Sequence, residues 1–218
     1  MKKNDIVLID FVAKTEQGEI FDLTKEDVAK KNKIWNKDNS YQPIAVILGA
    51  GTTMSGLEEG LLKMEVDENK EIKIEPEKAF GKRDPKLIKI MPEKIFQGKI
   101  KPLPGLIVDF SGKKGRIQSS RGGRVRIDFN HPLAGKIVIY DVKITKKLTD
   151  SKEKIEAIFS LFGIKPEVSV DEKKKASIKL KGQLHPVLQE KLTEMIKKYT
   201  DVKDVSYTNI NENKKPKK

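Results

Sequence analysis

The chain leaves one pattern of alternation and later returns to it. Residues 5–13 read as a strand, and residues 70–75 and 137–144 alternate apolar and polar side chains with the period of a half-buried one. Between the second and third of these, residues 84–128 carry prolines, glycines and a denser positive charge. A sheet drawing strands from both sides of that stretch must close around it. Residues 84–128 therefore read as an insertion in a body built from 1–83 and 129–148. Charge marks the same boundaries. Residues 84–128 carry 11 basic and 4 acidic side chains, residues 151–218 carry 16 and 10, and the remainder is neutral.

Within the body, residues 5–13 form a first strand, 16–19 a turn and 19–22 a second strand. Thr24 to Asp27 resembles a capping box opening a helix to about Lys33, followed by a polar loop around Trp35. Residues 44–48 give another strand. A short amphipathic helix over 55–64 puts Leu57, Leu61 and Met64 on one face. The expected class is α+β, a bent antiparallel sheet wrapped on one short helix.

In the insertion, Pro92 stands at the favoured first position of a helix over 92–97. Three short strands follow at 106–110, 116–119 and 124–129, joined by glycine-bearing links at 111–115 and 120–123. This is a small β domain. From Ser151 the spacing of Ile155, Ile158, Phe159 and Phe162 gives a helix capped by Gly163. Strands over 167–171 and 175–181, a helix lined by Leu188, Leu192, Met195, Ile196 and Tyr199, and a strand at 202–207 complete an α-β-β-α-β two-layer domain at 151–210. Residues 211–218, which end in lysines around a proline, read as a disordered basic tail.

Composition removes much of enzyme chemistry. The chain has no Cys and two His, so disulfide scaffolds, thiolate metal sites and a cysteine nucleophile are excluded. His131 and His185 each precede proline and lack acidic or histidine neighbours at ligand spacing, which makes them turn residues; no metal or cofactor is expected. Gly49-Ala50-Gly51 imitates a dinucleotide fingerprint, but Met54 occupies the third glycine position, and a tight strand-to-helix turn explains it. The apolar run Ile6–Ile9 ends at Asp10, too short for an export signal, and no segment nears the ~18 apolar residues that span a bilayer. A cytoplasmic protein without membrane association is expected. Of its 45 basic residues 40 are Lys, a bias shared with hyperthermophile proteomes.

Five motifs occur in order along the body: residues 16–22, the glycine turn and helix over 48–60, residues 75–81, Asn130 to Lys136, and Tyr140-Asp141-Val142. With these the chain resembles the FKBP-type peptidyl-prolyl isomerases, specifically the SlyD-like branch with a domain inserted in the flap. The resemblance covers residues 1–148, and a C-terminal extension is similar to that of longer archaeal members. It implies an apolar proline pocket between sheet and helix, lined by Phe11, Phe21, Asp22, Val46, Thr53, Met54, Leu57, Phe80 and Tyr140, working without cofactor or metal. Three departures stand out: phenylalanine at 11 and 80 where the family often has tyrosine, Leu57 where some members have tryptophan, and a long 24–43 stretch.

By the same resemblance the insertion would hold unfolded or proline-containing polypeptide clients. Ile88, Ile90, Met91, Ile95, Phe96, Ile100, Leu103, Leu106 and Ile107 are more apolar surface than so small a unit easily buries. Two further readings stand beside this one: a holding chaperone with a weak pocket, and a nucleic-acid or ribosome-associated protein using the basic regions, with Arg116, Arg121, Arg124 and Arg126 on a hairpin. The C-terminal domain reads as a docking or self-association module through Ile155, Phe159 and Phe162.

Overall fold

A computed structural model describes residues 1–96, 100–110 and 112–210. The tail at 211–218, the expected helix end at Gln97 and the link residue Ser111 lie outside the described residues. In chain order the elements are β1 (Ile6–Thr15), β2 (Ile20–Leu23), α1 (Glu26–Lys31), β3 (Ile44–Ile47), α2 (Ser55–Leu61), β4 (Asn69–Ile74), β5 (Ile88–Pro92), β6 (Ile107–Phe110), β7 (Lys113–Arg121) and β8 (Arg124–Asp128). They continue with β9 (Val138–Leu148), α3 (Ser151–Ser160), β10 (Glu167–Val170), β11 (Lys175–Leu180), α4 (Pro186–Tyr199) and β12 (Asp204–Asn209). The chain divides into two compact units, one of Met1–Ile74 with Ile139 onward, the other Glu75–Val138.

In the first unit the strand order is β2-β1-β9-β4, and β3 pairs with the other half of β1. The mixed α+β class with antiparallel sheets agrees with the sequence. β1 buries Val7, Ile9, Phe11, Ala13 and Thr15 on one face. Its opposite face carries Ile6 and Leu8, which join a second core, followed by Asp10, Val12 and Lys14. β3 follows the same division, since Val7 pairs with Val46 while Ile6 pairs with Ile47 and Leu8 with Ala45. The second core fills with Ile155, Ile158 and Phe159 of α3, with Leu148, and with Val168, Ile178, Leu192 and Ile196 from the C-terminal elements. Ile155 and Phe159 are thus fully buried within the chain, and that face of α3 already has its partner in the body's sheet. The C-terminal sheet runs β10-β11-β12, the first pair antiparallel and the second parallel. Asp150 caps α3 by accepting from the N–H of Glu153 at 3.0 Å.

α1 is shorter than the expected helix, and the capping box does not form. Its N-cap is Lys25, with no side-chain cap bond. The Thr24 hydroxyl accepts instead from the N–H of Phe11 at 2.9 Å and donates to Asp10 at 2.8 Å. The long-range strand contact takes the hydroxyl that a cap would have used. α2 ends at Leu61, and Met64 is fully buried beyond it.

The second unit is a four-stranded antiparallel sheet ordered β5-β8-β7-β6. Its own core holds Phe96, Val108, Ile117, Val125 and Ile127, with Met91, Phe110 and Phe129 packed against it. Here the sequence reading needs correction. Ile88–Pro92 is a strand, and Glu93–Phe96 is a single 3₁₀ turn rather than the start of an α-helix. Hydrogen bonding to β8 from Ile88 through Pro92 decides this, because the strand gains a whole partner where a helix over 92–97 would gain one turn. Gly115 sits where a Cβ would lie 2.6 Å from Ile127 Cγ2 and 2.8 Å from the Phe129 ring.

Candidate active site

The first unit gathers most of the residues assigned to the pocket. The Phe11 and Tyr140 ring centroids are 5.4 Å apart and tilted by 40°. Phe21 approaches Tyr140 edge-on at 6.1 Å and 74°. Such geometries suit the ring quadrupoles and leave three aromatic surfaces around one spot. Phe11, Val46, Leu57 and Tyr140 are buried, while Phe21, Thr53 and Met54 are half-buried. Asp22 pairs across the strands with Ala13, which puts it on the buried face of the sheet. The residue keeps much of its surface in water. Desolvation of its carboxyl raises its pKa above the usual carboxylate value, against the N–H of Leu23, which donates to Oδ1 at 2.8 Å. Burial pushes the Tyr140 phenol well above its ordinary pKa, and the nearby charge of Asp22 adds to that shift. Tyr140 is a neutral hydroxyl at any physiological pH.

The turn that delivers Thr53 and Met54 is built from the helix that follows it. Gly49 and Gly51 both have left-handed backbone (φ +78° and +68°), so the glycines serve the turn as expected. The buried carboxylate of Glu58, in the first turn of α2, accepts from the N–H of Gly49 and from the N–H of Thr52, each at 3.1 Å. Thr52 Oγ1 also accepts from Ile47 N at 3.1 Å. Met54 then sits at the N-cap of α2, and its carbonyl accepts from Leu57 and Glu58. The sequence reading missed Glu58. An acidic residue early in a helix reads as a macrodipole partner, and only the fold reveals the two amides it ties together.

Phe80 belongs to the second unit. Its ring lies parallel to His131 with centroids 4.6 Å apart and 3° between planes. His131 Nδ1 accepts from the N–H of Leu133 at 3.2 Å, and Gly135 N–H donates to the carbonyl of Gly81 at 2.8 Å. His131 is therefore a turn residue that also supports an aromatic one. The stack joins the 75–81 and 130–136 motifs, which stand in the sequence only as separate stretches. Of the residues assigned to client binding, Ile90, Ile95, Ile100, Leu103, Leu106 and Ile107 are exposed, and Ile88 and Met91 half-buried. Phe96 is 4% exposed and edge-on to Phe110 at 5.7 Å, where it fills the core of its own unit instead of its surface.

Among the described residues no group of three His, Cys, Asp or Glu could hold a metal ion, and no helix is long and apolar enough to cross a membrane. The arrangement offers aromatic and aliphatic walls, a polar edge and backbone amides, which suits a reaction of shape and solvation.

Comparison with known proteins agrees with that chemistry. The family of FKBP-type peptidyl-prolyl cis-trans isomerases matches residues 1–101, and the FKBP26 IF domain matches residues 89–133. A short-type peptidyl-prolyl cis-trans isomerase of Methanocaldococcus jannaschii is 37% identical over 145 residues, 66% of this chain and 92% of the relative. An FKBP-type 16 kDa peptidyl-prolyl cis-trans isomerase of Escherichia coli is 29% identical over 149 residues, 66% of this chain and 91% of the relative. The FKBP-type isomerase SlyD of Helicobacter pylori is 32% identical over 122 residues, 54% and 66% of the two chains. The chain belongs to the FKBP-type peptidyl-prolyl cis-trans isomerases. It carries that activity on proline-containing polypeptides, with an inserted domain of the kind named above.

Proposed function

We propose that isomerisation proceeds by desolvation and twisting of the X-Pro amide against the Phe11–Phe21–Tyr140 cluster. The barrier of ~18–20 kcal/mol reflects loss of amide resonance. A twisted amide is less polar than a planar one, so an apolar, water-poor wall binds it better than the ground state. The three ring surfaces grip the pyrrolidine. Asp22 provides the polar edge, and the Glu58-braced turn holds Met54 and its neighbours in register. The observation that carries this reading is the convergence of three aromatic rings from β1, β2 and β9 on one spot.

The second part of the proposal is that the insertion captures unfolded chains and raises the local concentration of prolines available to the pocket. Its support is the exposed apolar set around Ile90, Ile100, Leu103 and Ile107 on a unit that already has a filled core. The test compares the whole chain with a variant in which residues 84–128 are replaced by a short turn. Exchange NMR on an X-Pro peptide and proline-limited refolding of an unfolded protein are measured for both. Acceleration of the peptide by both, and of refolding by the whole chain alone, is the expected result. If the variant speeds refolding equally, capture by the insertion is wrong; if Phe21→Ala leaves the peptide rate unchanged, the pocket assignment is.

A further inference from the structure

Lysine supplies 40 of the 45 basic side chains, yet four of the five arginines fall between residues 116 and 126. The register of the inserted sheet puts all four on one face. Arg124 lies opposite Arg121 on β7 and Pro92 on β5, while Arg126 lies opposite Ser119 and Ile90. Arg116 lies opposite Asp128 on one side and Ile107 on the other. The alternate residues Ile117, Val125 and Ile127 fill the core on the reverse face. The outer face is thus an arginine column bordered by apolar side chains, of which Ile90 is 66% and Ile107 59% exposed.

Local energetics do not favour this arrangement. Arg121 and Arg124 are directly opposed, and like charges in that position destabilise a strand pair. The carboxylates of the face are engaged elsewhere. Asp128 pairs with Arg83 and accepts from Gln118 and Asn130, while Asp109 accepts from the N–H of Gly112 and stands opposite Lys114. Among the described residues no ion pair joins Arg116, Arg121, Arg124 or Arg126 to a carboxylate. Arginine differs from lysine in offering a planar fork that matches a carboxylate with two hydrogen bonds.

We propose that this face selects acidic segments of extended, unfolded polypeptide. Side chains two residues apart in an extended chain repeat at ~6.8 Å, the same interval that separates Arg124 from Arg126 on their strand. Carboxylates at alternate positions meet the two guanidinium groups, while apolar side chains further along the client reach Ile90 and Ile107, which flank the column on β5 and β6. A polypeptide fits better than a nucleic acid, because Phe110 and Phe129 pack inward and the face presents isoleucine where bases need aromatic platforms. The inference rests on the capture role proposed for the insertion and adds its selectivity.

The test uses the full chain and short, proline-free, fluorescently labelled peptides identical except for Glu or Gln at alternate positions. Anisotropy is read at physiological salt, with an oligouridylate as competitor. The Glu peptide is expected to bind about tenfold more tightly than the Gln peptide, the effect of two charge-assisted contacts. The R124Q/R126Q double variant should reduce that preference to below about twofold, and R124K/R126K should restore only part of it. Thermal unfolding of R124Q/R126Q at or above the parent temperature shows that the sheet is intact, since a repulsion has been removed. Equal binding of Glu and Gln peptides overturns acid selection while leaving capture standing. Failure of both peptides to bind overturns capture as well. Displacement by oligouridylate at lower concentration than by unlabelled Glu peptide assigns the face to nucleic acid and overturns the proposal.

Discussion

Both oxygens of the Glu58 carboxylate are committed to the turn ahead of its own helix. Glu58→Ala leaves the N–H groups of Gly49 and Thr52 without their acceptor and is expected to cost about 1–3 kcal/mol in urea unfolding. Peptide isomerisation should fall about tenfold as the turn loses its position, and Glu58→Gln, which keeps one acceptor oxygen, should lie between. A loss of stability with an unchanged rate would make Glu58 purely structural. Phe21→Ala should behave in the opposite way, with a large loss of rate and little change in the denaturation midpoint, because Phe21 is half-buried. Phe11, Phe21 and Tyr140 were legible in the sequence only through the family resemblance, and the structure brings their rings together. Glu58 was not, because its partners are backbone amides brought to it by the turn.

At the scale of elements, α2 approaches β4 through Gly60. A Cβ there would lie 2.4 Å from Ile72 Cδ1, closer than packing allows. Gly60→Ala should therefore destabilise the chain by about 1–3 kcal/mol despite its better helix propensity, read as a lower midpoint in urea. The C-terminal elements carry a pH-dependent tie. Lys174, in the β10–β11 turn, pairs with Asp201 at 2.6 Å, and the Ser151 hydroxyl also donates to it. Together, Lys174 first, they hold the Asp201 carboxyl down to about 2. A depressed carboxylate stabilises the fold above its unfolded pKa near 3.9 and loses that contribution as pH falls toward 2. Asp201→Asn should lower the melting temperature slightly at neutral pH, because the pair is largely solvent-exposed, and the difference from the parent should vanish on titration to pH 2. The helices of this region were readable from their 3.6-residue spacing. β5 was harder, because the alternation of Ile88 and Ile90 is short and its outward residues remain exposed.

For the whole molecule, the decisive feature is a shared core. Ile6, Ala45 and Ile47 of the isomerase sheet pack with Ile155 and Phe159 of α3. Ending the chain after Leu148 uncovers the sheet side of that core, and at about 2 kcal/mol per aliphatic side chain the body should lose several kcal/mol of stability. A lower urea midpoint and new dye binding to apolar surface would report it. An unchanged midpoint would show that the C-terminal elements only rest against the sheet. Native-state hydrogen exchange should accordingly group β1 and β3 with α3 and α4 in one cooperative unit.

Sequence by itself determined the class of fold and, through five motifs in order, the family. Strand alternation, glycine turns and short motifs are local features that no distant contact has to supply. The run Ile6–Ile9 makes the start of β1 apolar on both faces, but nothing local says what covers the second face. Only the tertiary structure decided that the covering element is α3, that Thr24 serves Phe11 instead of a helix cap, and that Phe96 fills a core. Each of these depends on which groups meet across long stretches of chain. Periodicity tells a residue to be buried or bonded, and the fold alone selects its partner.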